Sequence, residues 1–421
     1  MPKEIGNRHT ESIVVLARCN SYDREEVKTA VAKAIKALGG FDAIFGERVC
    51  VGKKMPALDQ DSTLILKPNL LAKATPDKAV TTHFEVFRAV GELLQEAGYS
   101  NLTYGDSPGN PVINTEKTAE PCGIKGVADE LGIPAGNFEE GVEVEFPGGR
   151  VTKKFVLCKE VAENPNGVIN LCKMKTHQLE RITGAVKNTF GCVYGVNKAA
   201  FHAQFPNAET FAKMLADMNR LVMPRLHIMD GVIAMDGNGP GSGDPHPMYV
   251  ILASLDPVAL DATFCHLIDL DPELVATHNA CMEAGVGKGM DEDIKVIALD
   301  VPMIPDGTEM TLDDVAVKCG DNKFNVQRSA EFRGMINIMR PFRRFLEKKP
   351  RVIPEKCIGC GICVESCPVE PKAIQLSPGG KPVYDFGKCI KCYCCQEMCP
   401  KGAISVKKSL IARISDRNWR I

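Results

Sequence analysis

CIGCGICVESCP at residues 357–368 recurs as CIKCYCCQEMCP at residues 389–400, and both follow the spacing C-x2-C-x2-C-x3-C-P. Three cysteines in a tight turn reach three iron corners of one cubane, while a fourth, followed by proline, leaves the turn and crosses to the neighbouring cluster. The spacing predicts two 4Fe–4S clusters, one held by Cys357, Cys360, Cys363 and Cys399, the other by Cys389, Cys392, Cys395 and Cys367. Zinc is the competing reading of a four-cysteine set, but zinc sites usually come as two separated C-x2-C pairs. Gly359 and Gly361 stand where the backbone bends closely around sulfide, which glycine does at least steric cost. Lys391 and Tyr393 take those places in the second run. The tails CPVEPKAI and CPKGAI repeat as well, so the unit is an internal duplication. Cys394 falls outside the ligand register and reads as a spare thiol beside a cluster.

Working outward, residues 353–408 read as a small α+β ferredoxin-like domain and residues 409–421 as a C-terminal tail. Residues 326–352 read as a basic helical linker, with Arg340, Arg343, Arg344, Lys348 and Lys349 making it the most basic stretch of the chain. A solvated amphipathic connector is the plain reading, and a surface for an acidic redox partner the sharper one. In residues 1–325, short apolar runs alternate with helical patterns, the rhythm of an α/β domain with a mainly parallel sheet flanked by helices. Strands are expected at Ser12–Leu16, Thr63–Leu66, Asn101–Tyr104, Gly167–Leu171, Leu226–Met229 and Tyr249–Ala253. Helices are expected at Arg24–Leu38, His83–Ala97, Thr210–Val222 and Pro257–Leu267, the first with Val27, Ala30, Val31, Ala34 and Ile35 on one face.

The 421 residues suffice for a large domain plus a small one, and a net charge of −2 argues against nucleic acid as a partner. No run of about 18 apolar residues occurs and the N-terminus lacks a signal-type apolar core, so no membrane span and a cytoplasmic location are expected. Eighteen cysteines in a reducing compartment point to metal binding, chemistry or small buried hydrophobes.

Four segments of the large domain carry a strand into a polar or glycine-rich turn, the place where open α/β sheets bind ligands. TLILKPNLL sets Lys67 and Asn69 past a strand, and LTYGDSPG sets Asp106 and Ser107 in a tight turn. VINLCKMKTHQLERITGAVKNTFGCVYG sets Lys173, Lys175 and His177 after a strand, then Lys187 and Asn188. HIMDGVIAMDGNGPGSGDPHP places Asp230 at a strand end before glycines 237, 239, 241 and 243, a loop that fits neither a dinucleotide fingerprint nor a phosphate-binding Walker loop. Those glycines let backbone approach a ligand. Converging lysines suit an anion such as phosphate or carboxylate. Against this stands the bland alternative of polar turn residues solvating their loops. His83 is expected to cap a helix, and Asp256 to N-cap the one begun by Pro257.

In this order, KPNLL, the TTH helix start, GDSPG, NLCKMKTH, GAVKNTFG, DGVIAMDGNGP and SLDPVALDA resemble the domain of unknown function family 362, in which such a domain often precedes a paired-cluster tail. The resemblance spans about residues 12–300 and 355–405, implies one shared site, and supplies no reaction. The expectation is an iron–sulfur oxidoreductase that takes electrons from a redox partner protein or other donor and acts on an anionic small molecule. Lys67, Asn69, Lys173, Lys187 and Asn188 would bind it, and His177, Asp106 and Lys175 would serve catalysis, a histidine or carboxyl supplying protons. An electron-transfer adaptor and a non-redox enzyme with structural clusters are the competing readings.

Overall fold

VINLCKMKTH, expected to leave the sheet after Leu171, instead continues as one strand, Val168–His177, buried at all ten positions. A strand covered on both faces needs no alternation of polar and apolar residues, so its lysines were read as loop residues from the sequence pattern alone. The computed structural model describes residues 11–50, 52–109, 114–329 and 348–407. The strands of the main sheet are β1 (Ser12–Arg18), β2 (Leu64–Pro68), β3 (Leu102–Tyr104), β4 (Val168–His177), β5 (Arg181–Thr183), β6 (Leu226–Asp236), β7 (Asp244–Ser254), β8 (Ile294–Leu299) and β9 (Thr308–Met310). They form a nine-stranded sheet in the order β9-β8-β1-β7-β6-β4-β2-β3, with β5 paired to β4. Parallel pairings join β3, β2, β4 and β6, and separately β1 and β8. Because β7 is antiparallel to both β6 and β1, those two groups point the same way.

Helices used below are α1 (Arg24–Ala37), α2 (Phe84–Glu96), α3 (Ala185–Asn188), α4 (Gly195–Gln204), α5 (Ala208–Val222), α6 (Pro257–Leu267), α7 (Ile362–Glu365) and α8 (Cys394–Glu397). Leu64, Leu66, Ile169 and Leu171 pack with α1 and α2 on one face of the sheet. Ile65 and Val168 meet α5 on the other, where Cys172, Met174 and Met229 meet α6. His83 caps α2, its Nδ1 accepting from the Glu85 amide at 3.2 Å. Asp256 caps α6, accepting from the Val258 and Ala259 amides at 2.8 and 3.1 Å. Its other oxygen accepts from Ser12 Oγ at 2.6 Å and the Lys288 amide at 2.8 Å, which ties α6 to β1 and to a distant loop.

The large domain continues to Ser329: Phe324 is fully buried, and the Arg328 guanidinium donates to the carbonyls of Ile268 and Asp269. Arg340, Arg343 and Arg344 lie outside the described residues, and the small domain begins with β10 (Lys349–Val352), inside the stretch expected to be linker. β10 pairs antiparallel with β13 (Ile404–Lys407), and β11 (Ile374–Leu376) with β12 (Pro382–Tyr384). Among the described residues no helix is long and apolar enough to cross a membrane.

The small domain folds back onto the carboxyl edge of the sheet. β6 and β7 overshoot as a hairpin, and its glycine-rich turn is the docking surface. Gln396 Nε2 donates to the carbonyls of Asn238 and Gly239 at 2.9 and 3.3 Å, and Asn238 Nδ2 to the Ile404 carbonyl at 3.2 Å. A Cβ on Gly239 would stand 2.3 Å from the Thr176 carbonyl oxygen, and one on Gly241 3.1 Å from that of Glu397. These two glycines therefore serve close protein packing, not the ligand approach expected of them. Replacing Asp256 by alanine is expected to lower stability by about 2 kcal/mol in denaturant titration, since it removes a cap and orphans further donors.

Candidate functional site between the two domains

The eight cysteines in ferredoxin spacing gather into two groups. Cys357, Cys360, Cys363 and Cys399 line one void, and Cys367, Cys389, Cys392 and Cys395 line another, so the fourth cysteine of each run crosses to the other's group. None of the eight forms a disulfide. Four thiols converging on one void is the donor set a 4Fe–4S cubane requires. The backbone path is the same in both halves: Gly359 and Gly361 have φ of 71° and 80°, and Lys391 and Tyr393 hold φ of 60° and 65°. The Ala403 amide donates to Cys399 Sγ at 3.2 Å and the Tyr384 hydroxyl to Cys395 Sγ at 3.5 Å, contacts of the kind that tune a cluster.

Between this domain and the sheet edge lies a cavity of about 210 Å³. Asn69, Asp106, Lys175, Lys187 and Asn188 line it from the large domain, and Glu365, Cys394, Glu397 and Met398 from the small one. Of the residues expected to serve a ligand, Lys67, Lys173 and His177 do not line it. Lys67 Nζ is fully buried 3.0 Å from Asp106 Oδ1, and Lys173 Nζ 2.7 Å from Asp230 Oδ2. Tyr22, stacked on His83 at 3.5 Å, donates to Asp230 Oδ1 at 2.7 Å and closes that second pair. Each of these lysines thus has its own buried carboxylate partner and neither lines the cavity.

Asp106 accepts from Lys67 and, at 2.7 Å, from the Leu70 amide. His177 Nδ1 accepts from the Leu179 and Glu180 amides at 3.1 and 3.2 Å, which leaves the hydrogen on Nε2. Burial first, and the Lys187 charge second, push its imidazole down to about 4, so near neutral pH it carries no proton to give as an imidazolium.

Lys175 lines the cavity. Its Nζ donates to Asn69 Oδ1 at 2.8 Å and to the Val80 carbonyl at 2.6 Å, leaving one donor for a ligand. Burial, with Lys187 adding repulsion, pushes its ammonium down to about 7. From Lys175 a chain of amides runs inward: Asn69 Nδ2 donates to Asn188 Oδ1 at 2.8 Å, and Asn188 Nδ2 to Asn170 Oδ1 at 2.7 Å. α3 sets Lys187 and Asn188 in position, and Asp261 on α6 caps it by accepting from the Ala185 and Val186 amides at 2.6 and 3.1 Å. A Cβ on Gly184 would lie 2.0 Å from that carboxylate, so glycine is required there.

Sequence reading missed three residues of the site. Lys198 and His202 line the cavity from α4, four residues apart and hence on one helix face, a spacing that offered a signal. Lys198 donates to the Ser107 carbonyl, and burial pushes its ammonium down to about 8. Glu397 offered none, since only the docked fold brings it near Lys187, at 3.9 Å, and His177, at 3.8 Å. Burial would raise its carboxyl, but Lys187 and then His177 outweigh that and hold it well below the usual carboxylate range. Thr183 Oγ1 and His202 Nδ1 are buried without a hydrogen-bond partner among the described residues.

The sequence profile described as domain of unknown function (DUF362) matches residues 64–266, and the 4Fe-4S dicluster domain profile matches residues 356–403. The chain is also similar to the thylakoid-associated protein sll1697 of Synechocystis sp., with 34% identity over 280 residues covering 65% of this chain and 79% of that protein.

Gly191 tests the lysine edge, because a Cβ there would stand 1.7 Å from Asp106 Oδ1 and 2.6 Å from Lys67 Nζ. Gly191→Ala is expected to cost about 3 kcal/mol in anaerobic urea unfolding, the scale for prising apart a buried ion pair. An unchanged midpoint would show that the pair does not organise this edge.

Proposed function

We propose, for an iron–sulfur protein that belongs to the family of the domain of unknown function DUF362, that it is a ferredoxin-fused oxidoreductase reducing a small anion held in the cavity between its two domains. Cys357, Cys360, Cys363 and Cys399 would hold one 4Fe–4S cluster, and Cys367, Cys389, Cys392 and Cys395 a second. When bound, such clusters supply electrons one at a time. The observation that carries this reading is Lys187, an ammonium lining the cavity with no hydrogen bond among the described residues and facing Glu397 on the cysteine-bearing domain. Such a group is a ready donor for a carboxylate or phosphate oxygen. Asn69, Asn188 and the free donor of Lys175 would complete the anion's polar contacts, while Phe190 and Met398 supply apolar wall and exclude water.

Reduction also consumes protons. Lys175 and Lys198, titrating near 7 and 8, are the groups able to release and regain one near neutral pH, in place of His177 and Asp106. A separate protein or small donor would supply the electrons. The reading keeps a cytoplasmic location, whereas the similar Synechocystis protein is described as thylakoid-associated.

Anaerobically purified protein is expected to hold about eight irons and eight acid-labile sulfides per chain. Cys399→Ser should damage the cluster of the first run, and damage confined to the second would overturn the crossed ligation. Sulfate, as a probe anion, is expected to bind in calorimetry and to shift the reduced-cluster paramagnetic spectrum, and Lys187→Ala should abolish both. The sign with pH follows from Lys175: it is charged below about 7 and neutral above, so sulfate affinity should fall about tenfold from pH 6 to pH 8. In Lys175→Met that dependence should flatten, and sulfate binding by both variants as in the wild type would sink the anion site.

A further inference from the structure

The two cysteine groups differ in what surrounds them. Cys367, Cys392 and Cys395 are buried, whereas Cys360 of the first group is exposed. The void of that first group is rimmed by Ile358 and Leu376, 63% and 42% exposed, so two large apolar side chains lie open at one void. Lysines stand around this apolar rim. Lys401 lines the same void, and Lys381 Nζ reaches the Cys357 carbonyl at 2.5 Å and the Pro354 carbonyl at 3.1 Å, so its charge is fixed beside the first cysteine. Lys356 precedes that cysteine, and all three lysines are exposed. In the run from Ile353 to Gly361, Glu355 is the single acidic residue.

This charge is local. Residues 348–407 carry ten lysines and arginines against five aspartates and glutamates, in a chain whose totals are 51 and 53. Of those five, Glu397 is turned inward to Lys187, and Glu370 and Asp385 pair with Lys372 and Lys388. The cavity side of the small domain is occupied by the large domain, so the first cysteine group presents its exposed thiol on a face that is both apolar and basic.

We propose that this face, centred on Cys360 and Ile358 with Lys356, Lys381 and Lys401 around it, docks a small acidic electron-carrier protein. An apolar centre with a charged rim is the anatomy of a transient protein interface, the rim setting association rate and polarity. An anionic membrane surface would also suit lysines beside apolar residues, but it gives no reason for the patch to surround an exposed cluster thiol. The proposal rests on the iron–sulfur reading and is independent of what the cavity binds.

The test uses cluster-loaded full-length protein under anaerobic conditions, with a plant-type acidic 2Fe–2S ferredoxin as the probe. Complex formation by calorimetry should weaken steeply from about 50 to about 300 mM salt. The triple variant K356E/K381E/K401E should slow association at low salt by about tenfold, and K213E, an exposed lysine on α5, should leave it unchanged. Iron content and the reduced-cluster spectrum confirm that the variant holds its clusters, and sulfate binding in the cavity should be unaffected, which separates this proposal from the preceding one. If the triple variant loses iron, the milder K356Q/K381Q/K401Q with the salt dependence decides. Unchanged binding of the carrier, or equal binding of a basic carrier protein, would overturn the proposal. So would loss of binding to vesicles of anionic phospholipid with carrier binding intact, which would make the face a membrane surface.

Discussion

Five lysine ammoniums, those of residues 67, 173, 175, 187 and 198, are at least 92% buried at one edge of a single sheet, and the need to neutralise them organises what surrounds them. Burying an unpaired charge costs several kcal/mol, so each must find a counter-charge, a set of acceptors or a ligand. Lys67 and Lys173 have their own carboxylates, Asp106 and Asp230, and become part of the framework. Lys175 has only neutral oxygens, Lys198 a carbonyl, and Lys187 a carboxylate at the outer limit of an ion pair. Glu397 of the cysteine-bearing domain supplies Lys187 with a carboxylate that its own domain does not.

That arrangement makes the two domains one functional unit. The turn between β6 and β7 receives Gln396, and the small helix α8 then presents Cys394, Glu397 and Met398 to the cavity. Cys394, outside the ligand register, thus separates a cluster-binding segment from the ligand space. Side chains of both domains line one cavity because the docking contact of Gln396 holds α8 against the sheet edge.

Within the small domain the constraint is different: four sulfur atoms must converge on each of two centres, and neither run can supply four to one centre while its last cysteine crosses over. The crossing makes the halves interdependent. It also explains why Lys391 and Tyr393 hold the left-handed conformation that glycine takes in the first run, at a cost of roughly 1 to 2 kcal/mol per residue. The required thiol geometry overrides local preference.

The cysteine spacing is a local code, since ligands three or four residues apart fix their own turn, and the crossed sets were legible in it. Helix starts were legible for the same reason: Asp256 before Pro257 and His83 before Phe84 cap within two or three residues of themselves. The alternation of strands and helices gave the α/β class, but the length of β4 was hidden, because a strand buried on both faces by polar partners shows no period. Which lysines face the cavity was hidden too. Lys67 and Lys175 look alike in sequence, and only the approach of Asp106, 39 residues on, closes one and leaves the other open. Glu397 joined the site by docking alone. The sequence by itself determined what depends on spacing along the chain, the grouping of the cysteines and the caps, while tertiary structure decided which buried charges are neutralised, because that depends on groups that meet only when the domains close on each other.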